Sequence, residues 1–145
     1  MENKRIVLFR GQTRRQGELV NMMGEQLSSN WVYGGVGQGE GDFSIIYQVK
    51  PEIQKFTVYT DTLGQFVGHV DKYRRNIFCG DVLKCGLSEE VGEVKWCSEH
   101  SGFYVDVHYE CGAIPKRTGF TKFYAENCEI IGNIFDNPEF LSRLN

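Results

Sequence analysis

Short runs of alternating apolar and polar residues dominate the chain, and they predict strands more than helices. Phe56–Thr60 and Gly102–Tyr109 alternate cleanly, as half-buried strands do. Turn-forming residues separate such runs at intervals of roughly 8–12 residues, the spacing of a small barrel or sandwich. The other predicted strands are Ile6–Phe9, Trp31–Tyr33, Phe43–Tyr47, 76–85, Val91–Trp96 and Phe120–Tyr124.

One helix is predicted, at the end of the chain. Asn137 can cap its first turn by accepting an amide hydrogen bond, and Pro138 suits the first helical position. Phe140, Leu141 and Leu144 supply its apolar face. Residues 13–29 carry a weaker helical pattern that glycines interrupt, so a loop with about one helical turn is predicted there.

Composition adds glycine-rich turns to this picture. The 145 residues include 17 Gly but only 3 Pro, which favours many tight turns in one folded domain over a disordered chain. Residues 34–42 are the densest glycine stretch. A strand pattern follows them and no Lys-Ser/Thr pair closes them, so a hairpin connection is predicted and a Walker A loop is excluded.

The termini and the cysteines predict a cytoplasmic protein. The charged start, Met1–Arg5, is not followed by the apolar stretch of a secretory signal. No apolar run is long enough for a transmembrane helix. The five cysteines are odd in number and are expected to be reduced thiols.

The charge pattern leaves two interpretations open. The net charge of −3 does not favour nucleic acid as a partner, yet basic residues cluster in 4–15 and 72–75. We expect solvated loops, with a basic binding face as the alternative. The candidate contacts for nucleic acid are Arg10, Arg14, Arg15, Lys72, Arg74 and Arg75.

Three segments in the middle of the chain resemble a known family. Thr62–Gly68, Asp71–Lys72 and Ile77–Leu83 read T-L-G-Q-F-V-G, D-K and I-F-C-G-D-V-L. This series is similar to the central signature of the YopX family, T-V-G-Q-[FY]-T-G-L-x-D-K-N-G-x-x-I-[FY]-E-G-D. Glu129–Leu141 resembles the closing element of that family, whereas 12–29 and 106–125 resemble it weakly.

The resemblance implies an origin more than an activity. It points to a phage, a prophage or a conjugative element, and it brings no established activity, cofactor or functional residues. Tyr73-Arg74 replaces the Asn-Gly turn of the family, so a turn of another type or length is predicted. Cys79 stands where the family carries Glu, so any chemistry of that Glu is absent here.

Most motif residues are interpreted as parts of turns. Asp81 is expected to accept turn amides, although a hydrolase could use it as a carboxylate with Asp71 or Asp106. Asn133 and Asn137 are expected to satisfy the backbone at the last corner. The structural motif comprises Gly64, Gln65, Gly68, Gly80, Asp81, Gly132, Asn133, Asn137 and Pro138.

No catalytic, cofactor or metal residue is predicted. Cys79 and Cys85 lie six positions apart, outside the spacing of about two to four residues between structural zinc ligands. They are expected to be buried thiols. His69 is expected to be an ordinary side chain, and a Cys–His catalytic pair stays a minor alternative that sequence cannot show.

The predicted fold is mainly β in one domain, 1–145. An N-terminal β part covers 1–60, and 61–145 forms a barrel-like part with the closing helix. Residues 76–135 are expected to build a small SH3-like barrel. The leading functional hypothesis is a non-enzymatic module that binds another protein or itself, without a cofactor or a membrane. The alternatives are nucleic-acid binding and, last, a hydrolase.

Overall fold

The computed structural model describes residues 6–13, 30–49, 51–85, 90–99, 101–108 and 116–140. The chain divides into two compact units, Met1–Gln65 (unit 1) and Phe66–Asn145 (unit 2). The strands are β1 Phe9–Gln12, β2 Trp31–Gln38, β3 Phe43–Gln48, β4 Gln54–Tyr59, β5 Gly64–Val70, β6 Asn76–Phe78, β7 Asp81–Cys85, β8 Val91–Cys97, β9 Gly102–His108, β10 Lys116–Gly119 and β11 Cys128–Asn133, and the helix α1 is Lys122–Glu126.

Unit 1 is an antiparallel sheet in the order β4-β3-β2-β1, and the first residues of β5 pair with β1. Its buried face follows the strand alternation, because Ile46 and Val58 are fully buried. Gly11 lies on the same face. A β-carbon on Gly11 would approach Val58 Cγ2 to 2.8 Å, so the close contact of β1 with β4 requires glycine there.

Unit 2 contains a ladder of β5 with β6 and an antiparallel sheet in the order β10-β9-β8-β7-β11. Valines and leucine alternate inward along β7, β8 and β9, and Ala125 of α1 packs into the same cluster. The buried members are Ile77, Leu83, Cys85, Val94, Val105, Val107, Ala125 and Cys128.

The prediction of a mainly β fold is confirmed, since the described strands form two antiparallel sheets with one short helix. The described residues do not form the predicted SH3-like barrel. β10 and β11 form opposite edges of an open sheet. The outer edge of β11 bonds instead to the loop after β5, where Lys72 donates its amide to the Cys128 carbonyl at 2.9 Å.

Two strand predictions need correction. Phe120–Tyr124 is not a strand, because Lys122–Glu126 is helical and the Thr121 hydroxyl caps it by accepting the amide of Tyr124. The first strand begins at Phe9, so only the end of the predicted run Ile6–Phe9 belongs to it.

The glycine-dense stretch forms the predicted hairpin connection only in 39–42, because 34–38 belong to β2. β2 extends through Gln38, and a tight connection with Gly41 at φ 60° leads into β3. In the predicted C-terminal helix, residues 139 and 140 are helical. The rest of that helix, 141–145, lies outside the described residues, and so do residues 14–29.

Candidate functional site

The carboxylate of Asp71, just after β5, makes several hydrogen bonds within unit 2. Asp71 is 1% exposed. Its Oδ1 accepts the amides of Tyr73 and Arg75, each at 2.9 Å. Its Oδ2 accepts Arg75 Nε at 2.9 Å, Arg75 Nη2 at 2.8 Å and the Ile130 amide at 3.2 Å. The side chain is therefore fully used in holding the backbone.

These contacts join the β5–β6 connection to the edge of β11. Arg75 Nη2 also donates to the Ile130 carbonyl at 2.8 Å. Burial alone would raise the pKa of Asp71, but hydrogen bonds from Arg75, Ile130 and Tyr73 outweigh it and hold the pKa below its ordinary value. The carboxylate is ionised at neutral pH, with its charge balanced by Arg75.

Asp81 occupies the tight corner between β6 and β7. Its Oδ2 accepts the Phe78 amide at 2.8 Å, and the side chain is 1% exposed. Gly80 has φ 97°, donates its amide to the Val94 carbonyl and accepts the Ile134 amide. The corner is thus a junction of three backbone segments, and its carboxylate points at the backbone.

A second corner follows β11. Asn133 Oδ1 accepts the amides of Phe135 and Asp136 at 3.0 and 2.8 Å. Asn137 was predicted to cap the C-terminal helix by accepting an amide of its first turn. Its Oδ1 instead accepts the amide of Asn133 at 3.2 Å. Asn137 therefore closes the corner before the helix. Gly64, Gln65 and Gly68 lie in β5, where Gly68 has φ 89°, and Pro138 precedes the helical residues.

The described basic residues are mostly engaged. Arg10 is only 6% exposed and stacks on Trp31, with Cζ 4.6 Å from the ring centroid. Arg10 therefore packs within unit 1 and presents little surface for a phosphate contact. In unit 2, Arg75 pairs with Asp71, and Lys72 lies 3.5 Å from a Glu129 carboxylate oxygen. Arg74 is exposed, whereas Arg14 and Arg15 lie outside the described residues.

Two thiols and a phenol meet in the core of unit 2. Cys85 Sγ lies 3.3 Å from Cys128 Sγ and 2.7 Å from the Tyr124 hydroxyl. The contact with Cys85 and burial raise the pKa of Cys128, and burial followed by the contact with Cys85 raises that of Tyr124. Both groups are protonated at neutral pH.

Sequence reasoning missed this cluster. It compared Cys85 with Cys79, six positions earlier, and predicted separate buried thiols; Cys79 Sγ donates to the Val94 carbonyl at 3.5 Å. Cys85 meets Cys128 because β7 and β11 are adjacent, and such pairing of distant strands leaves no signal in cysteine spacing. Among the described residues, no three His, Cys, Asp or Glu side chains converge as a metal ion would need.

A family model described as YopX protein matches residues 9–142. The chain belongs to the YopX family. This match covers both units and every corner described above, so the resemblance of the central and closing segments extends over most of the protein.

Comparison with solved structures finds protein EF1440 from Enterococcus faecalis, whose crystal structure aligns with a TM-score of 0.48 at 19% identity. The alignment covers 94% of the YopX-family chain and 98% of EF1440. No curated protein matches the sequence.

The YopX-family turn after β5 is built without the usual Asn-Gly pair. The Arg74 amide donates to the Asp71 carbonyl, and the Asp71 amide donates to the Arg75 carbonyl, both at 2.9 Å. Arg74 alone takes a left-handed conformation, with φ 64°. This is a type I turn followed by a left-handed residue, so the prediction of a turn of another type is confirmed.

Unit 1 of this YopX-family protein carries an outer aromatic face, which we define as Tyr33, Phe43, Tyr47 and Tyr59. The pairing of β2, β3 and β4 places these side chains opposite the buried face. Tyr33 and Phe43 are 43% and 41% exposed. Shallow cavities of about 470 and 480 Å³ lie beside Tyr47 and Phe43, respectively. No helix in the described parts of the chain is long and apolar enough to span a membrane.

Proposed function

We propose that this YopX-family protein is a non-enzymatic accessory module of a phage or other mobile element, and that it binds another protein or a second copy of itself. The observation that carries the proposal is the outer edge of β4. β4 is the last strand of its sheet, and none of the described strands pairs with its outer side. An edge of this kind is a template for one more strand.

Backbone alternation identifies the groups that the β4 edge presents. The Thr60 amide donates to the Asp42 carbonyl at 2.9 Å, so the even-numbered positions of β4 bond to β3. The N–H and C=O groups of Lys55 and Thr57 consequently point away from β3. A partner strand would bond to the backbone at these two positions.

The surroundings of this edge support binding of a protein. Ile53 just before β4 is 75% exposed, and Val49 just after β3 is 70% exposed. The outer aromatic face continues this apolar surface across the sheet. Isolated exposed apolar residues are ordinary, but several beside an unpaired edge favour a protein partner.

The outer edges of β11 and β4 differ, and this difference supports the proposal. The loop 71–75 covers the outer edge of β11 through the bonds of Asp71 and Arg75 with Ile130. Natural sheets block edges that must not pair. The cover on β11 therefore contrasts with the outer edge of β4, which no described strand pairs, and favours β4 as the binding edge.

The side chains with catalytic potential support a non-enzymatic role. Asp71 and Asp81 accept backbone amides, which leaves their geometry set by the fold. The raised pKa of Cys128 leaves little thiolate at neutral pH, and the thiolate is the nucleophilic form. We also place the protein in the cytoplasm, in keeping with Cys85 and Cys128 being free thiols in this structure.

The test compares self-association and partner capture by matched variants at position 57. Thr57→Pro removes the outward amide and leaves the bonds to β3 in place, because proline is tolerated on an edge strand. Thr57→Val keeps that amide and removes only the hydroxyl. For Thr57→Val, we expect multi-angle light scattering at micromolar concentration to show oligomers, or pull-downs from host lysate to yield a partner. For Thr57→Pro, we expect neither.

Circular dichroism and thermal unfolding control for the fold of each variant. A folded Thr57→Pro protein that associates as the original does would eliminate β4 as the binding edge. A wild-type protein that is strictly monomeric and retains no partner would contradict the interaction role itself.

A further inference from the structure

The cysteine pair in unit 2 lies directly across one antiparallel ladder. Cys85 on β7 and Cys128 on β11 are register partners. Their exposed fractions are 5% and 0%, and both belong to the core cluster. The two sulfur atoms are 3.3 Å apart, so they already touch.

Backbone bonding shows which kind of ladder position this is. The Cys85 amide donates to the Glu90 carbonyl at 2.8 Å, away from β11. The Cys128 carbonyl accepts the Lys72 amide at 2.9 Å, away from β7. The two cysteines thus form a non-hydrogen-bonded pair, the narrower position in an antiparallel ladder, where α-carbons are about 4.5 Å apart. That separation lies within the range of roughly 4.4–6.8 Å found in disulfides.

We propose that Cys85 and Cys128 are a peroxide-sensitive thiol pair that closes to a reversible disulfide and locks β11 to β7. In the first step a Cys85 thiolate attacks one oxygen of hydrogen peroxide, the O–O bond breaks, and a sulfenic acid and hydroxide form. In the second step the Cys128 sulfur attacks the Cys85 sulfur, the S–O bond breaks, and hydroxide leaves. The two thiol protons end in the two water molecules, and two electrons pass from the sulfurs to the peroxide.

The surroundings explain why the reaction stops at the disulfide. Cys128 is in contact with Cys85 before oxidation begins, so a sulfenic acid on Cys85 meets its resolving thiol without a rearrangement of the sheet. The Tyr124 hydroxyl lies 2.7 Å from Cys85 Sγ, so the pair reacts inside a packed cluster. Burial makes the first step slow, and hydrogen peroxide is small enough to reach a site that larger disulfide reagents do not.

The disulfide would fix the position of β11, to which other segments of unit 2 are bonded. β11 receives the bonds of Asp71 and Arg75 on its outer edge and leads into the Asn133 corner. The bridge also joins residues that are 43 positions apart, and closing a long loop restricts the unfolded chain. The oxidised protein should therefore unfold at a higher temperature than the reduced protein.

The experiment uses the full chain with Cys79, Cys97 and Cys111 changed to Ser, so that only the pair can react. Folded protein is treated with hydrogen peroxide and then analysed by intact mass, by non-reducing peptide mapping and by thermal unfolding. We expect a mass lower by two hydrogen atoms, a peptide that joins Cys85 to Cys128, and a midpoint several degrees higher. Dithiothreitol should reverse all three changes.

Two comparisons keep the test decisive. Adding Cys128→Ala to the triple variant should abolish the linked peptide and the midpoint shift, and should yield oxygen addition at Cys85 instead. The unaltered chain, mapped after the same treatment, answers the question even if the triple variant does not fold. Oxygen addition without a linked peptide in the unaltered chain, or a linkage that appears only in urea, would overturn the proposal.

Discussion

At the scale of single residues, a few side chains in unit 2 hold segments that are distant in sequence. Asp71 bonds to its own turn and to Ile130 on β11, and Asn133 bonds to the corner that follows it. These contacts satisfy backbone amides at places where regular strand pairing ends. Since a buried amide without a partner is costly, such residues fix the corners more firmly than their number suggests.

Arg74 is the clearest strained position in the corner after β5. It is exposed and has φ 64°, a conformation that glycine adopts without penalty and other residues adopt at a cost of about 1–2 kcal/mol. Part of the gain is lost to the greater freedom of glycine in the unfolded chain. We therefore expect Arg74→Gly to raise the free energy of unfolding by about 0.5–1 kcal/mol in urea titrations.

The matched control for Arg74 is its neighbour in the same turn. Tyr73 is exposed but has no positive φ, so Tyr73→Gly should lower stability rather than raise it. Equal effects of the two substitutions would show that the left-handed conformation at 74 carries no strain.

The Asp71 carboxylate should matter most among the described charged groups. Asp71→Asn removes the charge that balances Arg75 and one of the acceptors for the turn amides, so we expect a loss of roughly 2–3 kcal/mol at pH 7. Glu126→Gln is the control. Its carboxylate faces Lys122 at 3.9 Å on the exposed side of α1, and its loss should change stability by less than about 0.5 kcal/mol.

The pH dependence gives a separate check on Asp71. Its pKa is lower in the folded protein than in the unfolded chain, so its contribution is complete above the unfolded value of about 3.9. The contribution is lost as pH falls through the folded pKa. The stability difference between the wild type and Asp71→Asn, measured by urea unfolding, should shrink below about pH 4. A difference that stays constant down to pH 2 would exclude an ionic role for Asp71.

At the scale of elements, β11 depends on close packing at its end. A β-carbon on Gly132 would collide with Asn137 Oδ1 and approach Phe140 Cε2 to 2.8 Å. Gly132→Ala should therefore displace the Asn137 side chain, break its bond with the Asn133 amide and cost about 1–3 kcal/mol. Gly119→Ala on β10 is the control, because its β-carbon would meet nothing within 4 Å and the change should be neutral or stabilising.

Local patterns predicted most strands, because alternation and turn residues act within a few positions. The strand prediction for Phe120–Tyr124 was wrong for a local reason as well. Its aromatic residues favour a strand, but the Thr121 cap and the burial of Ala125 stabilise a helix. The YopX signature includes Gly80 and Asn133, and both lie at corners of unit 2. It could not show that Asp71 reaches Ile130, because that contact depends on which distant segments become neighbours.

The same limit applies to the cysteines and to the edge strands. Spacing along the chain relates Cys85 to Cys79, but only the adjacency of β7 and β11 brings Cys85 to Cys128. The openness of the β-sheet in unit 2 was also unpredictable, because a barrel and an open sheet contain the same alternating strands. What differs is the edge pairing, and here the loop 71–75 occupies that edge of β11.

At the scale of the whole molecule, the distribution of charge favours our proposal of a protein partner over nucleic acid. The net charge is −3. Among the described basic groups, Arg10 is buried on Trp31, while Lys72 and Arg75 face carboxylates. Binding to phosphates relies on exposed Lys and Arg that release counterions, and its strength rises as salt falls.

We therefore expect no binding of single- or double-stranded nucleic acid in fluorescence anisotropy, even at low salt, where the electrostatic attraction is greatest. Glu129→Gln releases Lys72 from its ion pair and makes the protein less acidic, so it shows how far one added cation changes the outcome. Weak binding by this variant alone would mean that the pairing of Lys72 suppresses it. Salt-dependent binding by the wild type would reverse the ranking, because the basic residues in 4–15 and 72–75 would then outweigh the acidic balance of the chain.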